Sequence, residues 1–360
     1  MVEPDTHAAV AASPQRRGRR GPHLETPEEL HVHVVLVGLS LSWPCSIATR
    51  ARHEVEALVG AGHLVTVVTD AGSSQEALVH DLVGAGAHVE LVPTFVTGKK
   101  GLWFVSREIG FAVSAHKRLR AVLRRGPVDL VVAHSSGVCI GLPTLAGRAG
   151  VAATHVIHGL AEERRRADAS PYNWQTSLFY VLSDRWAARF MPSHLPVSEF
   201  MLDEMVAVGA RRERCHVSYN PVEVERFQPD PSATKDVDVL YVGRLAVEKG
   251  VDGLIAALAL LPELEVVIAG EGPLREGLEA QAGTLPRPPR FVGRIPHDEL
   301  PALVNRARVQ AVPSPSEPFG MVVVEAMACG TPVVACGVGG IPEILAGGRG
   351  GWLVPPRDAQ

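Results

Sequence analysis

The chain has 360 residues, 46% of them hydrophobic, and carries 35 Lys and Arg against 39 Asp and Glu, a formal net charge of -4. That is enough apolar material for about two domains, and the near balance of charge excludes the strongly basic face of a nucleic-acid binder. Five scattered cysteines, Cys45, Cys139, Cys215, Cys329 and Cys336, include no CxxC pair, which argues against a disulfide framework or a structural zinc site and suits a reducing cytoplasm.

Residues 1–29 mix Pro, Gly, Ala and charge without an apolar period, and they predict a disordered tail. The tail lacks the apolar core of a signal peptide, and no later run reaches the roughly 18 apolar residues of a membrane span. From His31 the chain alternates. HVHVVLVGLS (His31 to Ser40) predicts a buried strand of the parallel kind, Ile47 to Val59 an amphipathic helix, and HLVTVVTD (His63 to Asp70) and HVELV (His88 to Val92) two more strands. A long helix around Ser106 to Arg125 leads to DLVVAH (Asp129 to His134) and ATHVIH (Ala153 to His158). A helix around Trp174 to Arg189 follows, and CHVSY (Cys215 to Tyr219) reads as the last strand of this half.

After the Pro-interrupted link NPVEVERFQPDPSATKD (Asn220 to Asp236) the alternation restarts with VDVLYVG, LEVVIAG, RFVG, VQAVPS and PVVAC, with helical periods such as VDGLIAALALL between them. Strand–helix alternation implies right-handed βαβ units. Two doubly wound parallel-sheet α/β domains, 30–222 and 223–360, fit better than one large sheet. Ligands bind such sheets at the carboxyl ends of the strands, so a site between the domains is the default expectation.

The stretch PSEPFGMVVVEAMACGTPVVA (Pro315 to Ala335) lies at such an end. It predicts a loop, then a helix introduced by Gly320. The first N–H groups of that helix, on Gly320, Met321 and Val322, have no intrahelical partner and carry partial positive charge, which suits a phosphate or a sugar hydroxyl. Glu317 sits in the loop and Glu325 more than one turn inside the helix. Ionised carboxylates only accept hydrogen bonds, so they suit sugar hydroxyls and repel phosphate. A ligand with two sugars and a phosphate region between them satisfies the set, and a nucleotide-sugar is such a molecule.

SEPFGMVVVEAMACGTPVVA followed by GVGGIPEIL resembles the donor-site motif of retaining glycosyltransferases of family 4, the group that includes glycogen synthases and mannosyltransferases. YVGRLAVEKGVDGLIAAL, VIAGEGPLREGLEA, FVGRIPHDEL and HVIHGL occur in the family's order, so the resemblance covers most of the chain from His31 onward. It implies the GT-B architecture, two Rossmann-like domains facing a cleft, with 30–222 on the acceptor side and 223–360 binding the donor, a UDP- or GDP-sugar. It implies that Glu325 holds the donor ribose, that Glu317 and His158 contact the donor sugar, and that the backbone from Phe319 through Gly320, Met321 and Val322 faces the sugar or its phosphate. Arg244 and Lys249 become a cationic clamp on the diphosphate, so that no metal and no further cofactor is required. Gly272 and Arg294 fall near the nucleotide, and His134 at another strand end is a candidate acceptor contact. The Asp-x-Asp triplet at Asp236 to Asp238 lies at a strand entrance, the wrong end for a metal-diphosphate site.

Plainer readings stand beside these. Glu325 lies within the apolar run MVVVEAMA, where an unpartnered acid is costly to bury, which favours function over a solvated helix residue. Lys117, Arg118, Arg120, Arg124 and Arg125 read as the solvated face of a helix, with peripheral contact to anionic lipid at the inner membrane face as the alternative. An NAD-dependent oxidoreductase fails on the fingerprint, because GLSLSWP follows the first strand where G-x-G-x-x-G belongs. Two departures from the family matter. Cys45 and Ser46 occupy the places of a Gly-Gly pair in the first loop, and the chain stops at GWLVPPRDAQ where the family continues through more helices. The expectation is a cytoplasmic glycosyltransferase acting on a glycan, lipid-linked or small-molecule acceptor, with a second domain incomplete at its C-terminus. The alternative is a nucleotide-sugar-binding protein with impaired or absent transfer.

Overall fold

Successive residues of a strand point to opposite faces, so a strand covered on both faces must be apolar throughout. HVVLV obeys this in the computed structural model, which describes residues 31–39, 46–71, 76–94, 103–166, 174–346, 348 and 350–356. Val34 and Leu36 join one core cluster, Val35 and Val37 the other, and all four are buried. The predicted tail, and the first loop as far as Cys45, lie outside the described residues.

The first sheet holds β1 (His33–Val37), β2 (Leu64–Asp70), β3 (His88–Val92), β4 (Leu130–Ala133), β5 (Ala152–Ile157) and β6 (His194–Pro196), ordered β3-β2-β1-β4-β5-β6 with every pairing parallel. The helix Ser46–Gly60 covers one face with Ala51 and Val55. The helix Trp103–Arg125 covers the other with Phe111, Ala115, Leu119 and Val122, a row at helical spacing. Each such large side chain contributes roughly 1.5–3 kcal/mol by burial.

The second sheet repeats the plan. Its strands are β7 (Val237–Val242), β8 (Val266–Ala269), β9 (Arg290–Gly293), β10 (Ala307–Val312), β11 (Val333–Cys336) and β12 (Gly351–Val354), ordered β12-β11-β10-β7-β8-β9 and again all parallel. Leu240 and Val267 face one cluster, Tyr241 and Ile268 the other. Read from its own first strand, each sheet has the order 3-2-1-4-5-6 of a doubly wound fold, whose crevice lies where the order reverses. Those reversals fall between β1 and β4, and between β7 and β10.

One strand differs from the sequence pattern. The sixth place of the first sheet belongs to His194–Pro196, and CHVSY runs outside it as irregular chain. CHVSY is held there by a single bridge from Cys215 to His194 and by Ser218 N–H donating to the Pro196 carbonyl at 2.8 Å. HLP is too short to show a period, and its proline fits only because β6 lies at the sheet edge.

The two sheets touch around Phe319, whose buried ring belongs to the first sheet's core cluster together with Met201 and Leu202. Ser198 Oγ donates to the Pro318 carbonyl at 2.6 Å. Glu343 accepts from the backbone N–H groups of Glu199 and Phe200 at 3.0 and 3.2 Å, so a carboxylate from the second half caps the helix Glu199–Ala207 of the first.

His155 and His194 lie side by side in the first core, ring centroids 5.9 Å apart. Burial holds the pKa of His155 down to about 3, aided by His194, and burial holds that of His194 down to about 4. In the unfolded chain both take a proton near pH 6.5. The folded state therefore binds fewer protons between the two ranges, and stability falls as pH drops from 6.5 toward 4. Urea unfolding at pH 7 and pH 4 should show a loss of a few kcal/mol, smaller in His155→Gln than in the parent chain.

Candidate functional site

Both reversal points are occupied by the residues that the sequence singles out. At the second, the strand β7 ends at Val242 and its loop runs to Gly250, while β10 ends at Val312 and its loop runs to Gly320. The loops pack backbone on backbone. A side chain at Gly250 would meet the Pro313 carbonyl at 2.3 Å, and one at Gly339 would meet the Glu317 carbonyl at 1.8 Å. Gly339 (φ 59°) and Gly250 (φ 61°) also have left-handed backbones, so glycine is required twice over.

Within this frame Lys249 Nζ donates to Glu317 Oε2 at 2.6 Å. Glu317 is buried, so the two opposite charges hold each other where an unpaired one would be costly. Arg244, from the same loop, is exposed and 3.6 Å from Glu248, a surface contact that leaves its guanidinium open to a ligand. The members of the expected clamp thus differ, with the Lys249 charge already answered by Glu317.

Gly320 (φ 113°) turns the chain into the helix Met321–Ala328. Met321 packs toward the first core and Val322 toward the second, so only backbone N–H groups are left to face a ligand at this helix end. The Phe319 side chain is taken up by packing as well. Glu325 is buried, and its Oε1 lies 3.4 Å from His297 Nε2. Arg226 Nη1 donates to His297 Nδ1 at 3.0 Å, so Nε2 carries the proton and points at Glu325. The sequence reading missed His297, which FVGRIPHDEL contains. Glu317 and Glu325 thus have separate partners, Lys249 and His297. Gly272 packs on the backbone of Leu245, where a side chain would meet its carbonyl at 2.2 Å, and Arg294 follows β9 as an exposed residue. The Asp236 and Asp238 carboxylates meet Arg306 at 2.7 Å and Arg308 at 3.1 Å.

At the first reversal point a cavity of about 270 Å³ opens beside the carboxyl ends of β4 and β5, lined among others by His134, Ser136, His158, Glu108, Tyr180 and Asp184. His158 Nε2 and His134 Nδ1 are 3.1 Å apart. Burial, with His134 next to it, holds the His158 pKa well below the usual histidine range, so the ring is neutral. Glu108 is buried behind it and accepts from the Tyr180 hydroxyl at 2.9 Å. Burial raises its pKa to about 7 against the Tyr180 bond, with Asp70 and Asp184 adding to the rise. No sequence motif marks Glu108, which sits in an ordinary helical period. Ser316 Oγ donates to Glu163 Oε1 at 2.5 Å in a buried contact, joining the helix Ala161–Arg166 after the His158 loop to the loop that carries Glu317. Of the basic residues on the helix Trp103–Arg125, Arg118 and Arg125 meet Glu90 at 3.2 and 2.5 Å, whereas Lys117, Arg120 and Arg124 are exposed.

Residues 47–226 match the family model described as Glycosyltransferase Family 4, and residues 223–360 the one described as Glycosyl transferases group 1. The chain belongs to glycosyltransferase family 4. Glycogen synthase of Mycobacterium tuberculosis (strain ATCC 25618 / H37Rv) is 38% identical over 184 residues, 49% of this chain and 44% of that protein. D-inositol 3-phosphate glycosyltransferase of Mycolicibacterium smegmatis is 41% identical over 168 residues, 42% of this chain and 38% of that protein. The chain thus spans less than half the length of the curated relatives it matches. Among solved structures, Anabaena Alr3699/HepE in complex with UDP and glucose superposes with a TM-score of 0.73 at 21% identity, over 92% of this chain and 87% of that one. Sucrose-phosphate synthase from Thermosynechococcus elongatus gives 0.74 at 22%, over 91% and 87%. At that identity the likeness concerns the fold, the GT-B architecture of family 4.

Glu108 generates a test that needs no substrate. The unfolded chain loses this proton near pH 4.5 and the folded chain near 7, so the folded state binds more protons in that window and its stability falls as pH rises. Glu108→Gln removes the effect. Relative to the parent chain, the variant should gain up to about 3 kcal/mol between pH 4.5 and 7.5, read from urea midpoints. An unchanged difference would mean that the carboxyl is ionised in its cavity.

Proposed function

We propose that this chain is a retaining glycosyltransferase that moves a hexosyl group from a UDP- or GDP-sugar to an acceptor hydroxyl on a glycan, a lipid-linked or a small-molecule acceptor. The observation that carries this reading is the open helix N-terminus at Gly320, flanked by Glu317 and Glu325 at the reversal point of the second sheet. Amides there favour a phosphate, and the two carboxylates favour hydroxyls on either side of it. Glu325, oriented by His297, takes the ribose, and Glu317 and His158 position the sugar. The cavity beside His158 has room for a compact polyhydroxylated acceptor group, with Glu108 and Asp184 in its wall. Lys117, Arg120 and Arg124 suit an acceptor held at an anionic surface.

In the reaction the bond from the anomeric carbon to the phosphate oxygen breaks, and the acceptor oxygen bonds to that carbon on the same face. The acceptor proton goes to a departing phosphate oxygen. No protein nucleophile takes part. Arg244 and Lys249 stabilise the charge that grows on the diphosphate, in place of a divalent metal. Lys249 must then divide its hydrogen bonds between Glu317 and the ligand, so Arg244 is the more available charge.

Glu325→Ala should weaken UDP-glucose binding on the order of 10- to 100-fold, the loss expected for a hydrogen bond to a charged group, while the rate at saturation changes less. Arg244→Ala should lower that rate on the order of 10²-fold and leave the unfolding midpoint nearly unchanged, since its guanidinium is exposed beside Glu248. Full turnover by the Arg244/Lys249 double alanine variant would sink the clamp. A panel of sugar nucleotides and acceptors, followed by anomeric analysis of the product, reads out all three. Assays with EDTA should match those without it, whereas strict dependence on magnesium counts against the metal-free reading.

A further inference from the structure

Two helices on one face of the first sheet carry side chains that neither the core nor the reaction above uses. Trp103–Arg125 and Trp174–Phe190 pack into the same core cluster through Phe111, Leu119, Ala187 and Met191, and the Tyr180 hydroxyl of the second donates to Glu108 of the first at 2.9 Å. Each helix lies between two strands of a parallel sheet, so both run in the same direction. Both start at the carboxyl ends of the strands, where the cavity opens.

Their outward rows match. On the first helix the exposed positions are Ile109, Val113, Lys117, Arg120 and Arg124. On the second, Trp174, Leu178, Leu182, Arg185 and Arg189 are exposed at the same spacing. That spacing follows the helical period, so each row is one stripe, apolar where its helix starts and cationic where it ends. Trp174 is 72% exposed, Val113 63% and Leu182 58%. A single exposed apolar side chain is ordinary, but two aligned rows side by side form a patch, and such a patch marks a surface that meets a partner. The sequence pattern did not show it, because β4 and β5 lie between the two rows.

The cations identify that partner. Arg185 is engaged by Glu162 at 3.0 Å, whereas Lys117, Arg120, Arg124 and Arg189 form no ion pair among the described residues, and no acidic residue falls in either row. From Val113 to Arg120, and from Leu182 to Arg189, the helix rises about 10 Å, comparable with the roughly 5–10 Å to which an interfacial helix enters a bilayer. We infer that this face seats the chain on an anionic lipid bilayer, with the helix starts entering the headgroup boundary and the cations beyond them meeting lipid phosphates. Cations alone would hold the chain only at low salt. With the apolar rows they give binding that requires anionic lipid and resists moderate salt. The inference stands apart from the reading of the donor site, since vesicle binding needs no sugar nucleotide.

Co-sedimentation of the full chain with vesicles of phosphatidylcholine alone, and of phosphatidylcholine with an equal share of phosphatidylglycerol, tests it. The chain should bind the mixed vesicles and not the neutral ones. Lys117→Ser/Arg120→Ser/Arg124→Ser should weaken that binding on the order of 100-fold, the loss for three cations near an anionic surface. Leu178→Ser/Leu182→Ser should be released by salt that the parent chain withstands. The substituted side chains are all exposed, so urea midpoints should stay with the parent. On mixed vesicles Trp174 emission, read as the difference between the parent chain and Trp174→Phe, should shift to the blue and be quenched by brominated acyl chains. Sedimentation that ignores phosphatidylglycerol, no sedimentation with either vesicle, or equal binding by the charge variant overturns the inference, and so does binding that leaves Trp174 emission unmoved. A chain that ignores vesicles but forms a dimer split by Leu178→Ser/Leu182→Ser uses this face between its own copies, and the bilayer falls as its partner.

Discussion

The chain between Ser314 and Gly320 is held from every side, and the rest of the molecule is arranged to hold it. Lys249 reaches it from the β7 loop, Glu163 and Ser198 from the first domain, and Gly339 and Gly340 press on the carbonyls of Glu317 and Pro318 from the β11 loop. None of these contacts could close if the two sheets sat differently, and the Gly339 approach admits no side chain. The Phe319 ring, set in the core of the opposite domain, fixes the remaining freedom of the loop. A surface loop carries backbone polar groups that burial would leave unpaired. Here the pairing comes from both domains, with Ser198 of the first donating to Pro318 and Gly340 N–H of the second donating to the Glu317 carbonyl at 3.0 Å.

That constraint bears on charge as well as shape. Glu317 is buried with Lys249, so the pair enters the site nearly neutral, and any anion that binds there competes with a carboxylate for the ammonium group. Arg244 and the helix amides carry the positive potential that is not already answered. Glu325 lies beside His297, which Arg226 orients, and His158 lies beside His134.

Legibility in the sequence follows the same division. The strands could be read because a doubly covered parallel strand has to be apolar at each position, as HVVLV, LVTVVTD and VDVLYV are. β6 could not, since three residues ending in proline have no period, and CHVSY offered a more apolar rival beside it. Lys249, Glu317, Gly320 and Glu325 were legible because the loop, the helix start and the acid within an apolar run state their chemistry inside a dozen residues each. The partners that tune them were not. His297 lies 28 residues from Glu325, and Glu54 lies 80 from His134, inside a helix whose period explains a glutamate at that position without any partner.

The two halves of the cleft therefore specify different things by different means. The second domain presents at its sheet reversal the backbone of a helix start and acids from a short stretch of sequence. The first domain builds its cavity from side chains gathered out of six separate segments, those holding Leu39, Ile47, Arg107 and Glu108, His134 to Ser136, His155 to Gly159 with Ala161, and Tyr180 with Asp184. Arg50 ties the helix Ser46–Gly60, whose Ile47 lines this cavity, to the link at Ser218 to Asn220, so the setting of that part of the cavity wall depends on where the link lies.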